Sequence, residues 1–228
     1  KISHEEILRR MMDPDVPDSD IRPYVRLDTL ESGDFRPVVK LNPDVVEMPV
    51  TEAAMALASL NGISRWRRQQ RYARKIVGWT GLRVVAEGDS WFQYPFLLDD
   101  VIDQLFDRWA IYCTSAAGDL LSDMARQDEI AAAVRTQKPD LLLLSGGGND
   151  LLGGGSLQRH LKPFQSGGSA EEHIADSFAQ LLDSMLAIYA RLIDKALVAG
   201  APRVICHCYD HAIPARGRWL GRPMEALG

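Results

Sequence analysis

The sequence predicts an α/β fold, a parallel sheet with helices on both faces, plus a mainly helical and irregular N-terminal extension. Three observations carry this. From residue 82 onward, short apolar runs alternate with helix-length periodic segments, and buried strands of parallel sheets read as continuous apolar runs. Two of these runs end in glycine-bearing loops, Gly88-Asp89-Ser90-Trp91 and Gly146-Gly147-Gly148-Asn149-Asp150, where open α/β sheets place their chemistry. Residues 1–50 are instead punctuated by Pro14, Pro17, Pro23, Pro37, Pro43 and Pro49, which suits extended segments better than regular elements.

A short helix is expected at residues 3–12, followed by extended segments on a neighbouring surface. Asp13, Asp15, Asp18 and Asp20 make this stretch acidic. Residues 51–77 read as helical, with Thr51 as N-cap and Glu52 in the first turn. Asn61-Gly62 is expected to divide that pattern into two helices. A strand at 83–87 precedes Gly88-Asp89-Ser90 and a helix near 97–109. A strand at 110–113 leads into Ser115-Ala116-Ala117-Gly118-Asp119 and a helix to about 135. The strand at 141–145 is followed by a Gly-rich loop, 146–169. A long helix, 170–199, carries Ile174, Phe178, Leu181, Leu182, Met185, Leu186, Tyr189, Leu192 and Ile193 at core-facing spacing. Gly200 closes it, and Pro202 precedes a strand at 203–208. The boundary is placed so that residues 1–80 form the extension and 81–228 the α/β domain.

With 228 residues the chain can bury a real core. Its net charge of −5 gives no overall basic field for nucleic acid or anionic lipid. No apolar run approaches the ~20 residues that span a bilayer. The polar start, Lys1-Ile2-Ser3-His4-Glu5-Glu6, shows no signal peptide. Because Lys1 is not an initiator Met, export stays open, although Cys113, Cys206 and Cys208 form no disulfide-like framework and favour a reducing compartment. Cys206 and Cys208 should face one side of a strand and His207 the other, and no second ligand pair follows, so no metal site is expected.

A serine hydroxyl becomes a nucleophile when a base takes its proton and the developing oxyanion is held. Ser90 lies where a strand turns toward a helix, so its own N–H can point at an oxyanion. Gly118 holds the equivalent place after the next strand. Asn149, after the third, brings a side-chain amide. Here the chain resembles the SGNH hydrolases, also called GDSL-type esterases and lipases, through Gly88-Asp89-Ser90, Gly118 and Gly148-Asn149-Asp150, over about residues 82–210. The resemblance implies a flavodoxin-like three-layer α/β/α sandwich and ester hydrolysis through an acyl-enzyme on Ser90. It assigns Ser90 as nucleophile and oxyanion donor, with Gly118 and Asn149 as further donors. Trp91 stands where the family often has Leu, and Trp91 and Tyr94 are expected to wall the substrate site. The substrate would be a small-molecule, lipid or carbohydrate ester; no cofactor and no metal are needed.

One part of the family pattern is missing. Its general base is a His in an Asp-x-x-His block near the C-terminus, and no Asp-x-x-His occurs here. The base is therefore expected beyond residue 228, with His211 or His207, beside Asp210, as local alternatives. Asp89 and Asp150 read as turn-stabilising carboxylates, and His4, His160 and His173 as surface residues. Gly153-Gly154-Gly155 lacks the Lys-Ser or Lys-Thr of a phosphate loop. Residues 65–75 carry Arg65, Arg67, Arg68, Arg71, Arg74 and Lys75 with no acidic residue. A solvated helix face pairing with acidic partners, some of them supplied by the acidic 13–20 segment, is the favoured role, and an anionic partner is the alternative. Two other functions stay open: a non-catalytic binding module on the same fold, and an effector or adaptor acting through the N-terminal region.

Overall fold

The structure is a computed structural model that describes residues 1–28, 38–48, 57–153, 156–208 and 225. The N-terminal region opens with β1 (Ile2–Ser3) and α1 (His4–Met11), whose N-cap Ser3 accepts a hydrogen bond from the Glu6 N–H. Then come α2 (Asp18–Ile21), β2 (Val25–Leu27), β3 (Val39–Leu41) and β4 (Val46–Glu47). β1 pairs with β4 in parallel, and β2 with β3 antiparallel. These short pieces bury Ile7, Met11, Ile21, Val39 and Val46 in an apolar cluster that also takes in Leu60 and Phe96.

Helix α3 (Leu57–Lys75) runs unbroken through Asn61-Gly62, which corrects the expected division into two helices. A mid-helix glycine costs only about 1 kcal/mol relative to alanine. Burial of Leu60 on one side of it, and of Arg67, Arg68 and Tyr72 on the other, offsets that cost. Thr51 and Glu52 lie outside the described residues.

The α/β unit follows as β5 (Arg83–Glu87), α4 (Val101–Phe106), β6 (Ala110–Cys113), α5 (Leu121–Gln127), α6 (Glu129–Gln137), β7 (Leu141–Leu144), α7 (Gly148–Leu152), α8 (Ser156–Arg159), α9 (Asp176–Ala199) and β8 (Val204–Cys206). All four strands are parallel, in the order β6-β5-β7-β8. Alternate residues serve opposite faces. Val85, Leu142 and Leu144 pack with Leu121, Met124, Val134 and Leu192 of α5, α6 and α9. Val84, Ala86, Leu141 and Leu143 pack with Phe92 and Ile102 around α4. Helix α3 lies along the edge strand β6, where Tyr72 meets Tyr112 edge-on. The result is an α/β fold with a parallel sheet and helices on both faces, in flavodoxin-like strand order.

Several expected elements differ at their ends. α4 starts at Val101, later than residue 97, because Asp100 caps it through a reciprocal box with Asp103. The helix expected to run to 135 is two helices, broken at Asp128, whose φ is +56°. The 146–169 loop contains α7 and α8. α9 begins at Asp176 rather than 170, and of its expected stripe Ile174, Leu182 and Leu186 are exposed. The spacing predicts a core stripe along the whole helix, but the core cluster meets α9 only from Met185 onward.

Candidate functional site

The switch point of this strand order lies between β5 and β7, where neighbouring connections leave for opposite faces and open a crevice at the strand ends. Ser90 follows β5 and Asn149 follows β7, so both flank it. Hydrogen bonds tie the three motif loops together. The Ala116 N–H donates to the Gly88 carbonyl at 3.0 Å. The Asn149 Nδ2 donates to the Asp119 carbonyl at 2.9 Å. The Leu121 N–H donates to Asp150 Oδ2 at 3.0 Å, and the Ser145 hydroxyl lies 3.5 Å from Asp89 Oδ1. Gly88 permits the approach of the first and third loops: a Cβ there would sit 2.9 Å from the Ser145 Cβ and 2.9 Å from Phe92 Cδ2.

Ser90 begins a single turn rather than a regular helix, closed by the Phe92 and Gln93 N–H groups donating to the Asp89 carbonyl. The expected helix dipole at this point is therefore one turn deep. Asp89, not Ser90, stabilises the turn, since its Oδ1 accepts from the Trp91 N–H at 3.1 Å. Among the described residues, neither the Ser90 hydroxyl nor the Ser90 N–H nor the Gly118 N–H takes part in a hydrogen bond. Asn149 gives one amide hydrogen to Asp119, which fixes its plane; the NH₂ group carries a second.

His207 follows β8. Its N–H donates to the Leu144 carbonyl at 2.7 Å, its Nδ1 lies 3.3 Å from the Ser145 hydroxyl, and its ring stands 5.3 Å from that of Trp91. Cys206 packs on the α9 side of the sheet, so strand alternation separates it from His207. His207 and Ser90 share no hydrogen bond among the described residues. His211 and Asp210 lie outside the described residues. Trp91 is half exposed, whereas Tyr94 is partly buried and its phenol pKa is pushed up by burial. Among the described residues no cluster of His, Cys, Asp or Glu could hold a metal, and no helix is long and apolar enough to cross a membrane.

Two buried groups at the site carry no role in the sequence pattern. Glu87, the last residue of β5, lies beneath the site and accepts from the Thr114 hydroxyl at 2.7 Å and from the Gly88 N–H at 3.1 Å. Burial pushes its pKa up to about 7, against the opposing pull of the Thr114 bond. A charged residue ending a buried strand is the one signal that could have flagged it. The folded chain then keeps a proton that the unfolded chain has released between roughly pH 4.5 and 7. Stability should fall as pH rises through that window. Glu87→Gln is expected to flatten this decline, checked by urea unfolding from pH 5 to 8; an unchanged slope would assign the decline to another group. The second is Asn61 of α3, whose side-chain amide is buried against the Ala117 backbone.

The six basic residues of 65–75 all find partners within the chain. Arg65 pairs with Glu129, Arg67 and Arg71 with Asp18, Arg68 with Asp100 and Asp103, and Arg74 with Asp15. Lys75 donates to the Phe106 and Asp107 carbonyls. The acidic N-terminal segment thereby neutralises much of this helix's charge. His160 meets the Ser177 hydroxyl, and His173 accepts from the Gln165 N–H. A cleft of about 420 Å³ lined by Val134, Lys138, Pro139 and Pro202 lies at the opposite ends of the strands and holds none of the motif residues.

Neither a protein-family model nor a curated protein matches this chain. Among solved structures it is similar to the acetyl xylan esterase AlAXEase, at 18% identity and a TM-score of 0.32, over 55% of this chain and 57% of that one. It is similar also to LAE5, an alpha/beta hydrolase enzyme from the metagenome of Lake Arreo, Spain, at 17% identity and a TM-score of 0.30, over 55% and 59% of the two chains. The chain thus spans somewhat more than half the length of each. The α/β assignment stands on the strand order and helix placement described above.

Proposed function

We propose that this chain is a serine ester hydrolase of the SGNH type, acting on a carboxylic ester of a lipid, carbohydrate or other small molecule. The observation that carries this reading is the meeting of three strand-end loops at the switch point, with the Ser90 hydroxyl and the Ser90 and Gly118 N–H groups uncommitted among the described residues. Ser90 Oγ attacks the ester carbonyl. The oxyanion is held by the two backbone N–H groups and the Asn149 Nδ2, donors fixed before the charge develops. The Ser90 proton passes to an imidazole, which later returns it to the leaving alcohol. The resemblance would place that imidazole in an Asp-x-x-His block; within this sequence His207 and His211 are the candidates. Trp91 and Tyr94 border the ester.

A non-catalytic binding module is the second reading, favoured by one observation: no described histidine hydrogen-bonds to Ser90. Treating this chain, a longer natural form and Ser90→Ala with a fluorophosphonate, and reading intact mass, separates the two. Labelling that Ser90→Ala abolishes supports the hydrolase. Labelling of the 228-residue chain itself makes His207 or His211 the base, and labelling of only the longer form makes the base C-terminal. Absence of labelling in every form supports the binding module.

A further inference from the structure

We propose that Asn61, on α3 of the N-terminal region, is a positioning residue that holds the Gly118 amide in its oxyanion-binding orientation. This rests on the serine hydrolase reading. Asn61 is 7% exposed and bonds both polar groups of Ala117: its Oδ1 accepts from the Ala117 N–H at 3.1 Å, and its Nδ2 donates to the Ala117 carbonyl at 3.1 Å. The Ala117 carbonyl and the Gly118 N–H belong to one planar trans peptide, so they point in opposite directions. Fixing the carbonyl toward α3 fixes the Gly118 N–H away from it.

The turn needs such a hold. The Asp119 N–H donates to the Ala116 carbonyl at 3.2 Å, and Gly118, third in that turn, has φ +89°. A positive φ there is the mark of a type II turn. Types I and II differ by a flip of the central peptide, and glycine in third position accepts both. In the flipped turn the Ala117 carbonyl would take the place of the Gly118 N–H, setting an acceptor where the oxyanion requires a donor. Asn61 favours the donor-inward form, because only that form satisfies its buried Nδ2. Gln69, two turns further along α3, donates to the Cys113 carbonyl at 3.2 Å, and Tyr72 packs on Tyr112. The helix face carrying Asn61 is thereby seated on β6, just ahead of this turn.

The test compares Asn61→Ala and Asn61→Asp with the parent, in whichever form of the chain labels at Ser90, using 4-nitrophenyl acetate hydrolysis. Removing one oxyanion donor costs about 10²–10³ in kcat, so Asn61→Ala is expected to lower kcat about tenfold or more with KM little changed. In Asn61→Asp the introduced carboxyl offers the Ala117 carbonyl an O–H when protonated and a repelling oxygen when ionised. The ratio of its kcat to the parent's should therefore rise as pH falls from 8 to 5, while that of Asn61→Ala stays flat. A purely structural role would lower the melting temperature without this pH-dependent ratio. Should Asn61→Ala fail to fold, the Asn61→Asp ratio decides. Parental kcat in both variants, or a ratio for Asn61→Asp that does not change with pH, overturns the positioning role and leaves the hydrolase reading standing, provided Ser90→Ala still abolishes hydrolysis. If Ser90→Ala leaves hydrolysis unchanged, or no form labels, both proposals fall.

Discussion

Ser90→Ala is expected to lower ester hydrolysis by at least ~10³-fold while leaving the fold almost as stable as before. The rate loss follows from removing the atom that forms the acyl-enzyme; loss of a serine nucleophile costs as much as about 10⁶ in kcat where a full triad operates, and the residual rate comes from the oxyanion hole and binding. The stability expectation comes from geometry. The Ser90 hydroxyl has no hydrogen-bond partner among the described residues, and the turn is held by Asp89 through the Trp91 N–H. A serine that capped the turn would instead cost about 1 kcal/mol when replaced. Urea unfolding alongside kcat therefore separates nucleophile from cap. A drop in stability with hydrolysis intact would make Ser90 a structural residue and end the hydrolase proposal.

Arg68→Ala is expected to produce the largest loss of stability, about 3–5 kcal/mol, the cost of removing one partner from a buried ion pair. Its guanidinium is almost wholly buried and donates to Asp100 Oδ2 and Asp103 Oδ2, each at 2.6 Å, to Gln93 Oε1 at 2.9 Å and to the Phe92 carbonyl. Without it, the Asp100 carboxylate remains buried with no cation beside it. Phe92 and Gln93 close the turn that carries Ser90, so the labelling rate at Ser90 should fall as well. Combining Arg68→Met with Asp100→Asn and Asp103→Asn should recover part of the stability, because the uncompensated charges are then gone. Denaturant midpoints measure both effects. A loss below about 1 kcal/mol for Arg68→Ala would mean that water reaches and solvates the two carboxylates.

The four strands of the parallel sheet and the places of the three motifs are legible along the chain, whereas the short strands β1–β4 are not. Buried strands need continuous apolar runs, and those at 83–87, 110–113 and 141–144 stand where such runs do, while 204–206 is a short apolar run whose Ile205 is exposed. Helix ends were less legible, because they depend on single backbone conformations such as Asp128 at φ +56° and on side-chain caps such as Asp100. Local rules also misread Asn61-Gly62, a helix breaker by composition. The amide that looked like a break bonds across to Ala117, 56 residues away, and that contact exists only after α3 has docked on β6.

Tertiary structure alone decided the environment of the candidate site. The pairing of β5 with both β6 and β7 brings Gly88, Gly118 and Asn149 from three separate loops to one end of the sheet. The same pairing buries Glu87 beneath them and raises its pKa, and no sequence pattern encodes desolvation. Along the chain the basic run at 65–75 shows only that acidic partners are available; the fold of residues 1–28 places Asp15 and Asp18 against it. His207 stands beside Trp91 because β8 pairs with β7, yet the same register gives its Nδ1 to Ser145. Periodicity and local chemistry are written along the chain, whereas burial, pairing order and long-range hydrogen bonds arise only when distant segments exclude water between them.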